Sequence, residues 1–178
     1  NGSRLGKTHT PTKTIDYPKV FKLNSFQYSP ANLVERYELI QKHAALGHAM
    51  MRGEFTKILN KESRKGMVDK TAAVSTLMLD IDKLKITGYK PPTGKLRANH
   101  IENICESVIA MLPLEMHDVS YIGHASSSMG MSESTRVSVH IEFLLHAPVN
   151  PRILKEYVKH LNYSCDAIAD QLVLQDTN

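Results

Sequence analysis

The chain has 178 residues, of which 42% are hydrophobic and 22% charged, with a formal net charge of +4. That is enough apolar material for one globular domain with a real core, or for one domain with ordered extensions, and it argues against wholesale disorder. The mildly basic balance, with a pI of about 9.0, is compatible with a polyanionic partner without requiring one. Cys105 and Cys165 are the two cysteines and form no C-x-x-C pattern, so a disulfide scaffold is not indicated and a reduced, intracellular setting is the default. No apolar run approaches the roughly 18 residues of a membrane helix, and no signal peptide is visible. No membrane partner is therefore expected. The first residue is Asn and the last stretch is "LQDTN", which suggests a fragment of a longer protein.

In chain order, residues 1–15 are polar, basic and rich in Gly, Thr and Pro, and read as a flexible arm before a domain over 16–178. "KVFKLNSFQY" reads as a short strand. "SPANLVERYELIQKHAALGHAMMRG" offers Ser29 as N-cap and Pro30 at the first helical position, with Leu33, Tyr37, Ile40 and Ala44 at helical spacing. "EFTKILNKESRKGMVDK" reads as a loop. "TAAVSTLMLDID" is a nearly continuous apolar run of strand length. A long basic loop, "KLKITGYKPPTGKLRA", follows it. Asn99 is the expected cap of a helix that buries Ile101, Ile104, Cys105, Val108, Ile109 and Leu112. "HDVSYIGHASSS" and "TRVSVHIEFLL" read as a hairpin with a long Gly/Ser/Met connection. Asn150 and Pro151 open a helix with Ile153, Leu154, Tyr157, Val158 and Leu161 inward, and "SCDAIADQLVL" reads as one more short helix. Helices between strands, plus one hairpin, suggest an α/β layer sandwich with a mixed or antiparallel sheet.

Asp80 and Asp82 stand out at the apparent end of the most hydrophobic run. Residues i and i+2 of a strand share a face, roughly 6.5–7 Å apart along it. Two carboxylates so placed repel one another unless water or a cation separates them, and hard oxygen ligands suit Mg²⁺ or Mn²⁺. Two such ions can hold the attacking and leaving oxygens of a phosphoryl transfer. The alternative is a solvated strand end where Asp starts a turn.

In "RVSVHIEFLL", Ser138, His140 and Glu142 share one face while Val137, Val139, Ile141 and Phe143 share the other. The polar face is either a solvent-facing side of the sheet or the lining of a cleft. The remaining histidines show no zinc spacing. Ser126, Ser127 and Ser128 lie in a hydroxyl-rich loop that could present donors to phosphate oxygens or be an ordinary hairpin loop. Lys61, Arg64, Lys65, Lys83, Lys85, Lys90, Lys95 and Arg97 bracket the aspartates, where a triphosphate or nucleic-acid backbone would need neutralising. No G-x-S-x-G elbow and no dinucleotide fingerprint occurs. Trp is absent and Phe and Tyr are few, so an aromatic platform for single strands is not indicated.

"LMLDID" followed by "SVH" in a strand ending "IEFLL" resembles the first two motifs of archaeo-eukaryotic primases, an acidic D-x-D strand and an S-x-H strand. The likeness is closer to the primase and primase-polymerase domains of phage and plasmid replication proteins. There, segments similar to "LGHAMMRGEFTKILNKESRKG" and "HASSSMG" precede the two motifs, and the resemblance runs roughly from Ala45 to Pro151. It implies a two-layer primase-like α+β fold, with an RRM-like half and a smaller α/β half. It implies template-directed nucleotidyl transfer on single-stranded DNA, in the cytoplasm of a bacterial or archaeal host.

Under that resemblance Asp80 and Asp82 bind Mg²⁺ or Mn²⁺, and His140 contacts the phosphates of a nucleoside triphosphate with Ser138 beside it. Arg64, Lys65 and Ser126 to Ser128 are further nucleotide contacts, and a helicase domain or protein is an implied partner. The family's third acidic residue would be Asp166 or Asp170, both in a segment read as helix rather than strand, or would lie past Asn178. A non-catalytic DNA-binding module of a replication initiator, and a metal-dependent nuclease, are the alternatives.

Overall fold

A computed structural model describes residues 21–22, 32–46, 48, 53–63, 65–93, 96–126, 129 and 135–171. The elements in chain order are β1 (Phe21–Lys22), α1 (Leu33–Ala45), β2 (Asn60–Glu62), β3 (Val74–Lys85), α2 (Ala98–Ile109), β4 (Tyr121–Ala125), β5 (Arg136–Val149), α3 (Pro151–Ser164) and α4 (Asp166–Ala169). The fold is thus α+β, as the order of patterns suggests, with a three-stranded antiparallel sheet of order β3-β5-β4. The proposed arm over residues 1–15 lies outside the described residues, as do Ser29 and Pro30. Among the described residues, no helix is long and apolar enough to cross a membrane.

The chain divides into two compact units, one holding the described parts of residues 78–143 and 156–178, the other those of 13–77 and 144–155. In the first unit, β5 is the central strand. Its residues Val137, Val139, Ile141 and Phe143 are 0–3% exposed. Burying side chains of this size contributes roughly 1.5–3 kcal/mol each. β4 pairs antiparallel to β5 with Gly123 opposite Ile141, so Gly123 lies on the same side as this apolar row. A Cβ at Gly123 would stand 2.6 Å from the Cys105 sulfur of α2. Glycine is what lets the helix approach the sheet there, and α2 therefore covers this face. Ile104, Cys105, Val108, Ile109 and Leu112 are buried as their spacing predicts, while Ile101, expected with them, is half-buried in the first turn.

Helix α2 starts earlier than expected. Arg97, not Asn99, is its N-cap, and the Arg97 N–H donates to His100 Nδ1 at 3.1 Å. The cap is supplied from inside the first turn, which a search for a capping residue before the helix misses. Helix α3 opens as read: Asn150 Oδ1 accepts from the Arg152 N–H at 2.9 Å, and Leu161 is buried. Ile153, expected inward, is instead 62% exposed. The segment after α3 is helical, as α4.

In the second unit, β1 and β2 pair antiparallel, and Phe55 bridges to Val68, so the stretch read as a plain loop carries strand pairing. Helix α1 is capped by Asn32, whose Oδ1 accepts from Glu35 N–H at 3.0 Å. Of its expected apolar stripe, Leu33 and Ile40 are half-buried, while Tyr37 and Ala44 are exposed and the buried residue is Arg36. Asp69 closes a turn by accepting from the Thr71 N–H and hydroxyl, both at 2.7 Å.

Candidate active site

The site lies in the first unit, on the side of the sheet opposite α2. β3 does not end at Asp82, as the sequence suggested, but continues to Lys85. The reason it can do so is a change of parity at Lys83. Before it, Leu77 and Leu79 point inward; after it, Leu84 does. Lys83 takes up the extra residue in a left-handed conformation, φ 56°, which costs a non-glycine residue about 1–2 kcal/mol. Both peptide groups of Lys83 are held by side chains of β5. Its N–H donates to Ser138 Oγ at 3.0 Å, and its carbonyl accepts from Arg136 Nη1 at 3.0 Å. The acidic pair thus sits on an irregular segment that the neighbouring strand clamps.

Across the β3–β5 boundary the two motifs interleave. His140 Nε2 is 2.9 Å from Asp80 Oδ1. Ser138 Oγ donates to Asp82 Oδ1 at 2.8 Å. Two i, i+2 pairs on antiparallel neighbours meet partner for partner because side chains of both strands alternate with the same period. Within the polar row of the central strand β5, Ser138 is 4% and Glu142 1% exposed, so these two side chains do not face solvent. His140 is partly accessible, and Asp80, at 67% side-chain exposure, faces solvent. Asp82 is exposed as well.

Ser138 is placed differently from the expected nucleotide contact. Its hydroxyl donates to Asp82 and accepts from Lys83, and it is buried; its role in this arrangement is to hold the aspartate and the bulge. Ser126 extends the hairpin, donating its N–H to the Ser138 carbonyl at 2.9 Å. Ser127, Ser128 and Arg64 lie outside the described residues. Lys65 is exposed in the second unit, its N–H donating to Ser63 Oγ. Asp166 is the first residue of α4 and Asp170 its C-cap, both exposed and helical. Lys83, Lys85, Lys90 and Arg97 are exposed.

Three participants lie outside the sequence expectations, and a fourth, Lys83, enters there only as one of the basic residues bracketing the acids. Arg136 clamps Lys83. Lys83 itself carries the parity change, which the string "LDIDKLK" signals only as a shift of the apolar position from odd to even. The Gln171 side chain accepts from the Lys85 N–H at 2.7 Å and donates to the Lys85 carbonyl at 3.0 Å, acting as a strand partner. His124 stands opposite His140 in the β4–β5 register, its ring edge-on to His140 with centroids 4.8 Å apart.

Two carboxylates on one exposed strand face are the hard donors that Mg²⁺ or Mn²⁺ takes, so Asp80 and Asp82 fit a cation of that class. Among the described residues, no group of three or more His, Cys, Asp and Glu side chains converges as a metal cage. Compared with protein-family models, with curated proteins and with solved structures, the chain finds no significant match.

Proposed function

We propose that the chain is a primase-type nucleotidyl-transfer domain, in which Asp80, Asp82 and His140 act on a nucleoside triphosphate over a single-stranded DNA template. The observation that carries this reading is the cross-strand pairing of the D-x-D and S-x-H motifs, Asp80 with His140 at 2.9 Å and Asp82 with Ser138 at 2.8 Å. The meeting of two motifs far apart in the chain, residue for residue on one face, supports a shared site over two unrelated strand ends.

Asp80 and Asp82 would hold Mg²⁺ or Mn²⁺, which supplies charge neutralisation at the triphosphate and at the attacking hydroxyl. The chain's own contribution is placement. Ser138 and the Lys83 bulge aim Asp82, His140 orients Asp80 and offers its imidazole to a phosphate oxygen, and exposed lysines after the acids counter the backbone charge. The setting that goes with this activity is phage or plasmid replication in a microbial cytoplasm, with a helicase as a further partner.

Primer synthesis on single-stranded DNA, with Mn²⁺ and labelled triphosphates, tests the reading. Asp80→Ala is expected to abolish the product while the circular dichroism spectrum stays that of the wild type. Undiminished synthesis by that variant would end the proposal. A second reading, a DNA-binding module without chemistry, is favoured by the absence of a converging third acid among the described residues. It predicts salt-sensitive DNA binding with no metal-dependent product.

A further inference from the structure

Helix α2 has a polar shoulder beside its buried face. His100, Asn103 and Ser107 recur at helical spacing, and with the loop that follows β3 they border a cleft of about 260 Å³. Thr87, Tyr89, Lys90 and Pro92 line its other wall. The loop is shaped by a turn in which the Tyr89 N–H donates to the Ile86 carbonyl at 3.2 Å. Gly88 in that turn holds φ 77°, the positive value that the third position of a type II turn takes. Pro91 and Pro92 then fix the backbone beyond Lys90. Asp80, Asp82 and His140 do not line this cleft.

Its polar groups are mostly donors. His100 Nδ1 accepts from the Arg97 N–H at 3.1 Å, so the proton of the neutral ring is on Nε2, which donates. Lys90 is exposed, adds a cation, and makes no hydrogen bond or ion pair with another described residue. Thr87 brings a hydroxyl and Asn103 an amide that both donates and accepts. Among the described residues, no aspartate or glutamate lines the cleft, while Ile86, Pro92 and Ile104 give it apolar surface. A guest that suits both kinds of surface has an anionic group and a compact apolar body. The cleft, at about 260 Å³, falls just under the roughly 300–1,000 Å³ of drug-sized ligand sites, which limits the guest to about one mononucleotide.

We propose that this cleft is a binding site for a nucleoside monophosphate unit, with Lys90 and His100 meeting the phosphate and Asn103 and the apolar wall meeting the base. Asparagine amides suit base edges, and tyrosine rings suit base planes. The unit is the same chemistry whether it is a free mononucleotide or one residue of a single strand. The site is separate from the acid pair and needs no metal, so it goes beyond the nucleotidyl-transfer reading.

The test is nitrogen–proton correlation NMR in EDTA, which removes any metal-dependent site from the result. The wild-type chain is titrated with deoxyadenosine monophosphate, deoxyadenosine, inorganic phosphate and a short oligodeoxyadenylate. The expected result is saturable shifts over residues 86–92 and 100–107 with the monophosphate, at lower concentration than with deoxyadenosine or phosphate. Lys90→Gln should lose about tenfold in affinity, the size of a hydrogen bond to a charged group. Asn103→Ala should lose less, and Asp80→Ala/Asp82→Ala should bind as the wild type does. The same shifts with the oligomer support the site with a strand as its source; shifts with the monophosphate but not the oligomer support it with the free mononucleotide. The proposal is overturned if millimolar monophosphate gives no saturable shifts there, if phosphate or deoxyadenosine alone binds as tightly, or if Lys90→Gln keeps full affinity. None of these outcomes bears on the acid pair, whose own test is metal-dependent.

Discussion

Replacing Ser138 by alanine removes one hydroxyl that serves two partners, the Asp82 carboxylate at 2.8 Å and the Lys83 N–H at 3.0 Å. Asp82 is exposed, so water replaces most of its lost bond and that part costs about 0.5–1 kcal/mol. The Lys83 amide is worse placed. It belongs to a residue at φ 56°, whose conformational cost of about 1–2 kcal/mol is offset only while its peptide groups are bonded to β5. An N–H left without a partner adds about 1–2 kcal/mol. The expected loss is therefore about 1.5–3 kcal/mol. The chain has no tryptophan, so urea unfolding is followed by far-UV circular dichroism. With an m-value on the order of 2 kcal/mol per molar, the midpoint falls by about 0.75–1.5 M. Ser138→Thr keeps the hydroxyl and is expected to lose less than Ser138→Ala. Mn²⁺ affinity should fall with the alanine and largely return with the threonine, because the aspartate is aimed by the bulge. A Ser138→Ala variant within about 0.5 kcal/mol of wild type, below the worth of a typical hydrogen bond, would refute the idea that this hydroxyl holds the bulge.

The other expectations concern packing and protonation. Gly123→Ala places a methyl 2.6 Å from the Cys105 sulfur and should destabilise by about 1–3 kcal/mol; thermal melts of Gly123→Ala with and without Cys105→Ala should show partial rescue in the pair. The Cys105 thiol is fully buried, which pushes its pKa up to about 12. It should resist iodoacetamide at pH 8 in the native protein and react once urea unfolds the chain; modification within minutes under native conditions would contradict the packing of α2 on β4. The Asp69 carboxylate is held below its ordinary range by hydrogen bonds from Thr71. A depressed carboxylate stabilises the fold above its unfolded pKa and loses that contribution as pH falls through the folded value. Asp69→Asn should therefore melt lower than wild type at pH 7, with the difference shrinking as the pH is taken below the ordinary carboxylate range; a difference independent of pH would show that the charge plays no part.

The residue pattern alone determined the elements whose periodicity is strong. Helix α2 shows its buried face in the spacing of Ile104, Cys105, Val108, Ile109 and Leu112, and α3 shows its start in Asn150 and Pro151. The apolar row of β5 is equally plain, because alternation at period two has one reading once the strand is accepted. The acids were legible for the opposite reason: two charges beside "LML" break a hydrophobic pattern, and a break of that kind draws attention to itself.

Tertiary structure decided everything that depends on which strand lies beside which. Ser138, His140 and Glu142 form a polar row on either reading of the strand, and only the position of β5 beside β3 sets Ser138 and His140 against the acids, with Ser138 and Glu142 buried. The continuation of β3 past Asp82 depends on Arg136 and Ser138 holding Lys83, contacts across more than fifty positions of chain that no local propensity encodes. His124 gains its place only from a hairpin register that sets it opposite His140. Local sequence specifies the backbone period and the preferred face of each element, whereas the meeting of side chains from different strands is a property of the register. The register is set by the sum of many burial energies rather than by the residues that come to meet.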